Sequence, residues 1–92
     1  HVEPPEGDLG TTFKISGMVV DENHVGLEGF RVVLYESVGM EEKPIDETYT
    51  DEHGAFVFYW KPSYSGTYFF VVKAFNRDGV MTSRATGSFK VL

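Results

Sequence analysis

Short apolar-rich runs alternate with turn-forming residues along most of this 92-residue chain. The clearest runs are Phe13–Val20, Phe30–Glu36, Ala55–Trp60 and Thr67–Phe75, and stretches rich in Asp, Asn, Gly and Pro separate them. Within the runs, apolar side chains recur at every second position, which is the period of a β-strand. No window repeats apolar residues at the three-to-four spacing of a helix. The sequence therefore predicts an all-β fold with essentially no helix.

The remaining segments complete the strand pattern. Ile45–Thr50 is a weaker run with acidic residues, as expected of an exposed edge strand, and Ser37–Pro44 is predicted to be a loop. Thr67–Phe75 is apolar on both faces, which predicts a central strand. Asn76–Gly79 contains an Asp-Gly pair, a signal for a type I′ hairpin turn. Val80–Leu92 supplies the last strand or two, interrupted near Gly87.

About seven short strands with a turn every 8–12 residues are typical of an antiparallel sandwich of two sheets. We assign this sandwich to residues 13–92. Residues 1–12 carry two adjacent prolines, two glycines and little apolar content. They are predicted to be a linker or a disordered lead-in.

Composition excludes several classes of function. The formal net charge is −6 and Lys and Arg are not clustered, so a nucleic-acid partner is not expected. The chain has no cysteine, which excludes disulfides, zinc–thiolate sites and cysteine nucleophiles. The longest apolar run, Tyr68–Val72, has the length of a strand, so no membrane insertion is expected.

No catalytic or metal-binding motif is present. His1, His24 and His53 are the only histidines, and none has the spacing of a metallopeptidase site. The acidic stretch Asp21–Asn23 lacks the spacing of an EF-hand and is expected to form a turn. Ser63 and Ser65 lie near Gly66 but lack the Gly-x-Ser-x-Gly pattern of a serine nucleophile and have no neighbouring histidine. We predict a protein that is not an enzyme and uses no cofactor or metal.

One group of residues suggests ligand binding. Tyr59, Trp60 and Tyr64 lie close together in sequence, and exposed aromatic rings stack on sugars or anchor protein partners. The alternative is that Trp60 continues the inward-facing set of Phe56 and Phe58 and closes the core, as the strand alternation indicates.

Four short patterns in order resemble the carboxypeptidase-regulatory-like domains. They are Ile15-Ser16-Gly17-x-Val19-x-Asp21, Leu27-Glu28-Gly29-x-x-Val32-x-Leu34, Thr50-Asp51-x-x-Gly54-x-Phe56-x-Phe58 and Gly66-x-Tyr68. The resemblance covers roughly residues 13–75. It implies a transthyretin-like, Ig-like sandwich. It also implies a non-catalytic accessory module of a larger secreted or cell-surface protein.

The expected function is therefore that of a structural spacer or docking domain. Its partners would be neighbouring domains of the same polypeptide, and the isolated domain is expected to be a monomer. A carbohydrate- or protein-binding module that uses Tyr59, Trp60 and Tyr64 is the alternative. A third hypothesis is strand addition, with itself or with a partner, at the edge formed by Ile45–Thr50.

Overall fold

The computed structural model describes residues 1–92 and contains eight strands and no helix, which confirms the all-β prediction. The strands form two sheets, one of three strands and one of five, that pack face to face as a sandwich. Their bounds are β1 Val2–Glu3, β2 Glu6–Gly7, β3 Phe13–Met18, β4 Arg31–Val38, β5 Glu41–Tyr49, β6 Ala55–Trp60, β7 Gly66–Phe75 and β8 Met81–Val91.

The three-stranded sheet has the order β1-β3-β6 and is antiparallel throughout. Its register runs from Phe13 opposite Trp60 to Met18 opposite Ala55. Alternation sends Phe13, Ile15 and Phe58 into the core, where each is at most 2% exposed. The bounds predicted for β6 are confirmed, whereas β3 ends at Met18 because Val20 pairs back onto Gly26.

The five-stranded sheet has the order β2-β8-β7-β4-β5. The strand β7 lies in the middle and is buried over Phe70–Val72, as its two apolar faces predicted. The strand β5 is an edge strand, which was also predicted. All neighbours are antiparallel except β2, which runs parallel to β8.

Residues 1–12, expected to be a linker or a disordered lead-in, contribute a short strand to each sheet. Val2 pairs with Ile15, and Glu6 pairs with Lys90 after the chain crosses between the sheets at Pro4 and Pro5. The Lys90 N–H donates to the Pro5 carbonyl at 3.0 Å. The segment therefore joins the edges of both sheets.

Two further predictions about local structure were wrong. Ser37–Pro44 is not a loop, because β4 continues to Val38 and β5 begins at Glu41. The polar side chains of this hairpin point to solvent, so its sequence has no alternation of apolar and polar residues. The strands here are defined by main-chain pairing alone. Nor is the last strand interrupted near Gly87, because β8 pairs with β7 without a break on both sides of this residue. The glycine instead makes room for the Phe70 ring, which occupies the space that a side chain at this position would fill.

Four rings close one end of the sandwich, which we call the aromatic end: Phe13, Trp60, Tyr68 and Phe89. Phe13 stacks on Phe89 with ring centroids 4.1 Å apart, and Tyr68 lies nearly parallel to Phe89 at 5.4 Å. Trp60 meets both Tyr68 and Phe89 edge to face, at 5.4 and 5.2 Å. These are favourable geometries for aromatic pairs, and they join the two sheets.

The opposite end, the loop end, consists of connections that contain the same turn three times. Asp21, Asp51 and Asn76 each accept two main-chain N–H groups on one side-chain oxygen, from the second and fourth residues that follow. The fourth residue of each turn, His24, Gly54 or Gly79, has positive φ. The type I′ prediction for Asn76–Gly79 was wrong, because only Gly79 has positive φ and the Asn76 side chain organises the turn.

Candidate functional site

The three aromatic residues singled out in the sequence do not form one surface. Tyr59 points outward from β6, opposite Lys14, and is 64% exposed. Trp60 points the other way and packs on Tyr68 and Phe89, as the inward-facing alternative predicted. Tyr64 is 78% exposed and lies in the connection after β6.

Tyr64 contributes to the fold through its main chain. The Tyr68 hydroxyl, at the start of β7, donates to the Tyr64 carbonyl at 2.6 Å. The Ser65 hydroxyl donates to the Leu92 carbonyl at 3.1 Å in the same region. These bonds hold the connection between β6 and β7 against the aromatic end.

A surface groove of about 530 Å³ lies on the outer face of the three-stranded sheet. Tyr49 and Tyr59, which are 59% and 64% exposed, line it together with Met18 and Val57. Its polar lining includes Lys14, Ser16, Thr48 and Asp51. The groove therefore combines exposed rings with hydrogen-bonding groups of both charges.

Sequence reasoning missed Tyr49. Its position at the end of an exposed edge strand was visible, but its proximity to Tyr59 was not. The two residues belong to different sheets, and residues 50–54 bring β5 and β6 together. Thr50 fixes this passage, because its buried hydroxyl accepts from the Phe30 N–H at 2.9 Å and donates to the Leu27 carbonyl at 2.5 Å.

A second concavity, a cleft of about 390 Å³, opens between the two sheets where β3 faces β8. Phe56, Phe70 and Val72 are among its apolar lining residues. Serine and threonine side chains of β8 form part of its rim. His1 and Arg84 also line the cleft, and the Arg84 guanidinium reaches Glu42 at 3.3 Å.

Few ionisable side chains are grouped in the structure, and the clearest group is Glu42 with Lys73 and Arg84. No group of three or more His, Asp or Glu side chains is placed to hold a metal ion. Hydrogen bonds from the Ala55 and His53 N–H groups lower the pKa of Asp51, because they stabilise its carboxylate. Hydrogen bonds from Lys73 and Arg84 lower the pKa of Glu42 on the outer face of the five-stranded sheet.

No family model, curated protein or solved structure matches this chain. The structure also contains no helix with the length and apolarity needed to cross a bilayer.

Proposed function

We propose that the chain is a non-catalytic, Ig-like accessory module, a structural spacer or docking domain within a larger secreted or cell-surface protein. The secreted or surface location is what the resemblance to carboxypeptidase-regulatory-like domains implies. Both the resemblance and the location are part of this proposal.

The strand order supports the Ig-like assignment. In Ig sandwiches, strands B and E share one sheet, whereas C, F and G share the other, which gains C′ in the variable type. Here β3 and β6 would be B and E, and β4, β5, β7 and β8 would be C, C′, F and G. The strands β1 and β2 would be a first strand divided between the sheets.

The Tyr68 hydroxyl bond gives independent support. A tyrosine near the start of strand F, whose hydroxyl bonds a main-chain group a few residues upstream, is a recurring feature of this architecture. Tyr68 begins β7, and its hydroxyl bonds the carbonyl of the residue four positions earlier.

The directions of the chain termini carry the spacer proposal. The main chain of His1 bonds Ser16 in both directions, and β1 runs antiparallel to β3, so an upstream extension would leave towards Met18 at the loop end. Leu92 bonds Gly7 beside the aromatic end. Neighbouring domains attached at the two termini would therefore lie at opposite ends of the sandwich, whose longest extent is 39 Å.

Small-angle scattering of two copies joined head to tail tests this arrangement. The expected longest dimension is close to twice the 39 Å axis of one copy. A pair that packs side by side, with the dimension of a single copy, would contradict the spacer. Saturable hydrolysis of a peptide or glycoside by the isolated chain would contradict a non-catalytic module.

A carbohydrate-binding module is the second candidate, and the groove between Tyr49 and Tyr59 favours it. Sugar rings stack on exposed aromatic faces, while their hydroxyl groups bond polar neighbours such as Lys14 and Asp51. The balanced charge of this lining suits a neutral glycan better than an anionic one.

Titration of neutral oligosaccharides, followed by tyrosine NMR signals, tests this candidate. Tyr49→Ala and Tyr59→Ala should each weaken binding about ten-fold, because each removes a stacking face. Tyr64→Ala is the matched control, since Tyr64 is exposed but does not line the groove. Absence of binding across a broad glycan panel, or an equal loss of affinity in all three variants, would exclude this site.

A further inference from the structure

The two edges of the five-stranded sheet differ in their protection against pairing with another strand. The β5 edge carries Glu41, Glu42, Asp46 and Glu47, a proline and a register irregularity, all of which discourage strand addition. The β8 edge is covered by β2 only at Lys90 and Val91. Residues 82–88, Thr-Ser-Arg-Ala-Thr-Gly-Ser, pair with β7 on one side and with no strand on the other.

The open edge of β6, in the three-stranded sheet, is shorter than the open edge of β8. Ala55 begins β6, and Asp51 already occupies both of its main-chain groups. The Ala55 N–H donates to the Asp51 side chain, and the Ala55 carbonyl accepts from the Asp51 N–H. The alternation of the ladder leaves only Val57 and Tyr59 with main-chain groups on the open side. The longest unprotected edge is therefore that of β8.

The pairing of β8 with residues 5–7 shows which β8 residues direct their N–H and carbonyl groups away from β7. The N–H groups of Lys90 and Leu92 donate outward, to the carbonyls of Pro5 and Gly7, at 3.0 and 2.9 Å. Alternate residues of a strand direct their main-chain groups to the same side. Arg84, Thr86 and Ser88 therefore present their N–H and carbonyl groups to the open side.

We propose that two copies of this chain associate through antiparallel pairing of their β8 edges, with a two-fold axis at Thr86. In this register Thr86 faces Thr86 of the second copy and Arg84 faces Ser88, which gives about six main-chain hydrogen bonds. The pairing ends where β2 covers Lys90 in each copy. Self-association does not depend on the proposed spacer role, and it differs from the monomer expected from the sequence.

Charge and side-chain size favour a second copy as the partner. The chain has a net charge of −6, yet Val80–Leu92 contains no acid, so two β8 edges approach without opposing carboxylates. The one charged residue of the open segment, Arg84, is already paired with Glu42 at 3.3 Å. The register separates the two Arg84 side chains by four positions. It also brings two threonines together, a favourable cross-strand pair.

Sedimentation of the isolated chain from micromolar to near-millimolar concentration tests the proposal. Association of the wild-type chain with increasing concentration is expected. Thr86→Lys and Thr86→Glu should each raise the dimer dissociation constant about ten-fold, because each opposes two like charges across the axis. An equimolar mixture of the two variants should associate again, because opposite charges then face each other.

Thr67→Lys is the matched control. It introduces the same charge at an exposed position of β7, opposite Lys90 and away from the open segment of β8, and should leave association unchanged. Hydrogen exchange adds a residue-level readout, in which the amides of Arg84, Thr86 and Ser88 become slower to exchange as concentration rises. A wild-type chain that stays monomeric, a mixture that does not associate, or an equal effect of Thr67→Lys would overturn the proposal.

Discussion

At the aromatic end of the sandwich, side chains from both sheets meet: Phe13 and Trp60 from one, Tyr68 and Phe89 from the other. At the loop end, the recurring contact is instead a side-chain oxygen that accepts main-chain N–H groups of its own turn, as at Asp21, Asp51 and Asn76. The first arrangement joins distant parts of the chain. The second organises five consecutive residues.

This difference predicts where substitutions are costly. A contact between sheets removes apolar area from water and cannot be replaced locally, so its loss affects the whole fold. A turn contact competes with water and with other local conformations, so its loss is cheaper unless the turn itself is packed. The following substitutions test this division, from the largest expected effect to the smallest.

Phe13→Ala should destabilise the protein most. Phe13 is fully buried and stacks on Phe89, so its removal leaves a cavity between the sheets. We expect a loss of about 3–5 kcal/mol in the free energy of unfolding, measured by chemical denaturation. Phe69→Ala is the control, because Phe69 is 56% exposed and should cost far less. Similar losses for both would contradict the role given to the aromatic end.

Gly54→Ala and Gly79→Ala compare a packed turn with an open one. Both glycines have nearly the same φ, 78° and 80°, so the left-handed conformation costs the two alanines about the same, about 1–2 kcal/mol. At Gly54 the added methyl group also overlaps main-chain atoms of Val19 and Leu27, whereas at Gly79 it meets nothing.

We therefore expect Gly54→Ala to lower the free energy of unfolding by about 2–5 kcal/mol. Gly79→Ala should lower it by only the about 1–2 kcal/mol that the left-handed conformation costs an alanine. Thermal and chemical unfolding of the two variants measure the difference. Equal destabilisation would show that packing against the chain around Val19 does not distinguish these turns.

Tyr68→Phe separates the hydroxyl bond from ring packing at the aromatic end. The variant keeps the ring between Trp60 and Phe89 but loses the 2.6 Å bond to the Tyr64 carbonyl. We expect a loss of about 1 kcal/mol in the free energy of unfolding. A loss as large as that of Phe13→Ala would mean that the hydroxyl, rather than the ring, secures this end.

The same division explains what the sequence could predict of the fold. Strands that contribute to the core have apolar residues in a recognisable pattern. The alternation of β6 predicted its bounds, and the two apolar faces of β7 predicted its central position. The hairpin of β4 and β5 extends beyond the core, and its polar outer residues resemble a loop. The turn at Asn76 was assigned to the wrong type because a side-chain hydrogen bond, rather than Asp-Gly alone, determines its geometry.

The candidate site was less predictable than the fold. Local alternation was sufficient to place Tyr59 outward and to offer an inward position for Trp60. It could not associate Tyr59 with Tyr49, since this proximity arises from the way β5 and β6 meet across two sheets. Nor could it show that β8 has an open edge, because this depends on how far β2 extends.

Asp51→Asn is expected to have the smallest effect, and it tests whether turn contacts act through charge. Asn76 organises an equivalent turn without a charge, so asparagine should preserve the turn at residue 51. The N–H groups of Ala55 and His53 lower the pKa of Asp51 below its ordinary value of 3.8. The folded state therefore binds this proton less readily than the unfolded state.

The stability that the Asp51 carboxylate contributes is fully present above the pKa of the unfolded chain. It is lost as the pH falls through the lower pKa of the folded chain. Unfolding measured from neutral pH down to about pH 2.5 should therefore show Asp51→Asn slightly less stable than the wild type at neutral pH. The difference should shrink as the pH falls, because the variant has no carboxylate to protonate at this position and its acid-side decline is shallower. Identical pH profiles would mean that the carboxylate acts in this turn only as the neutral oxygen of Asn76 does.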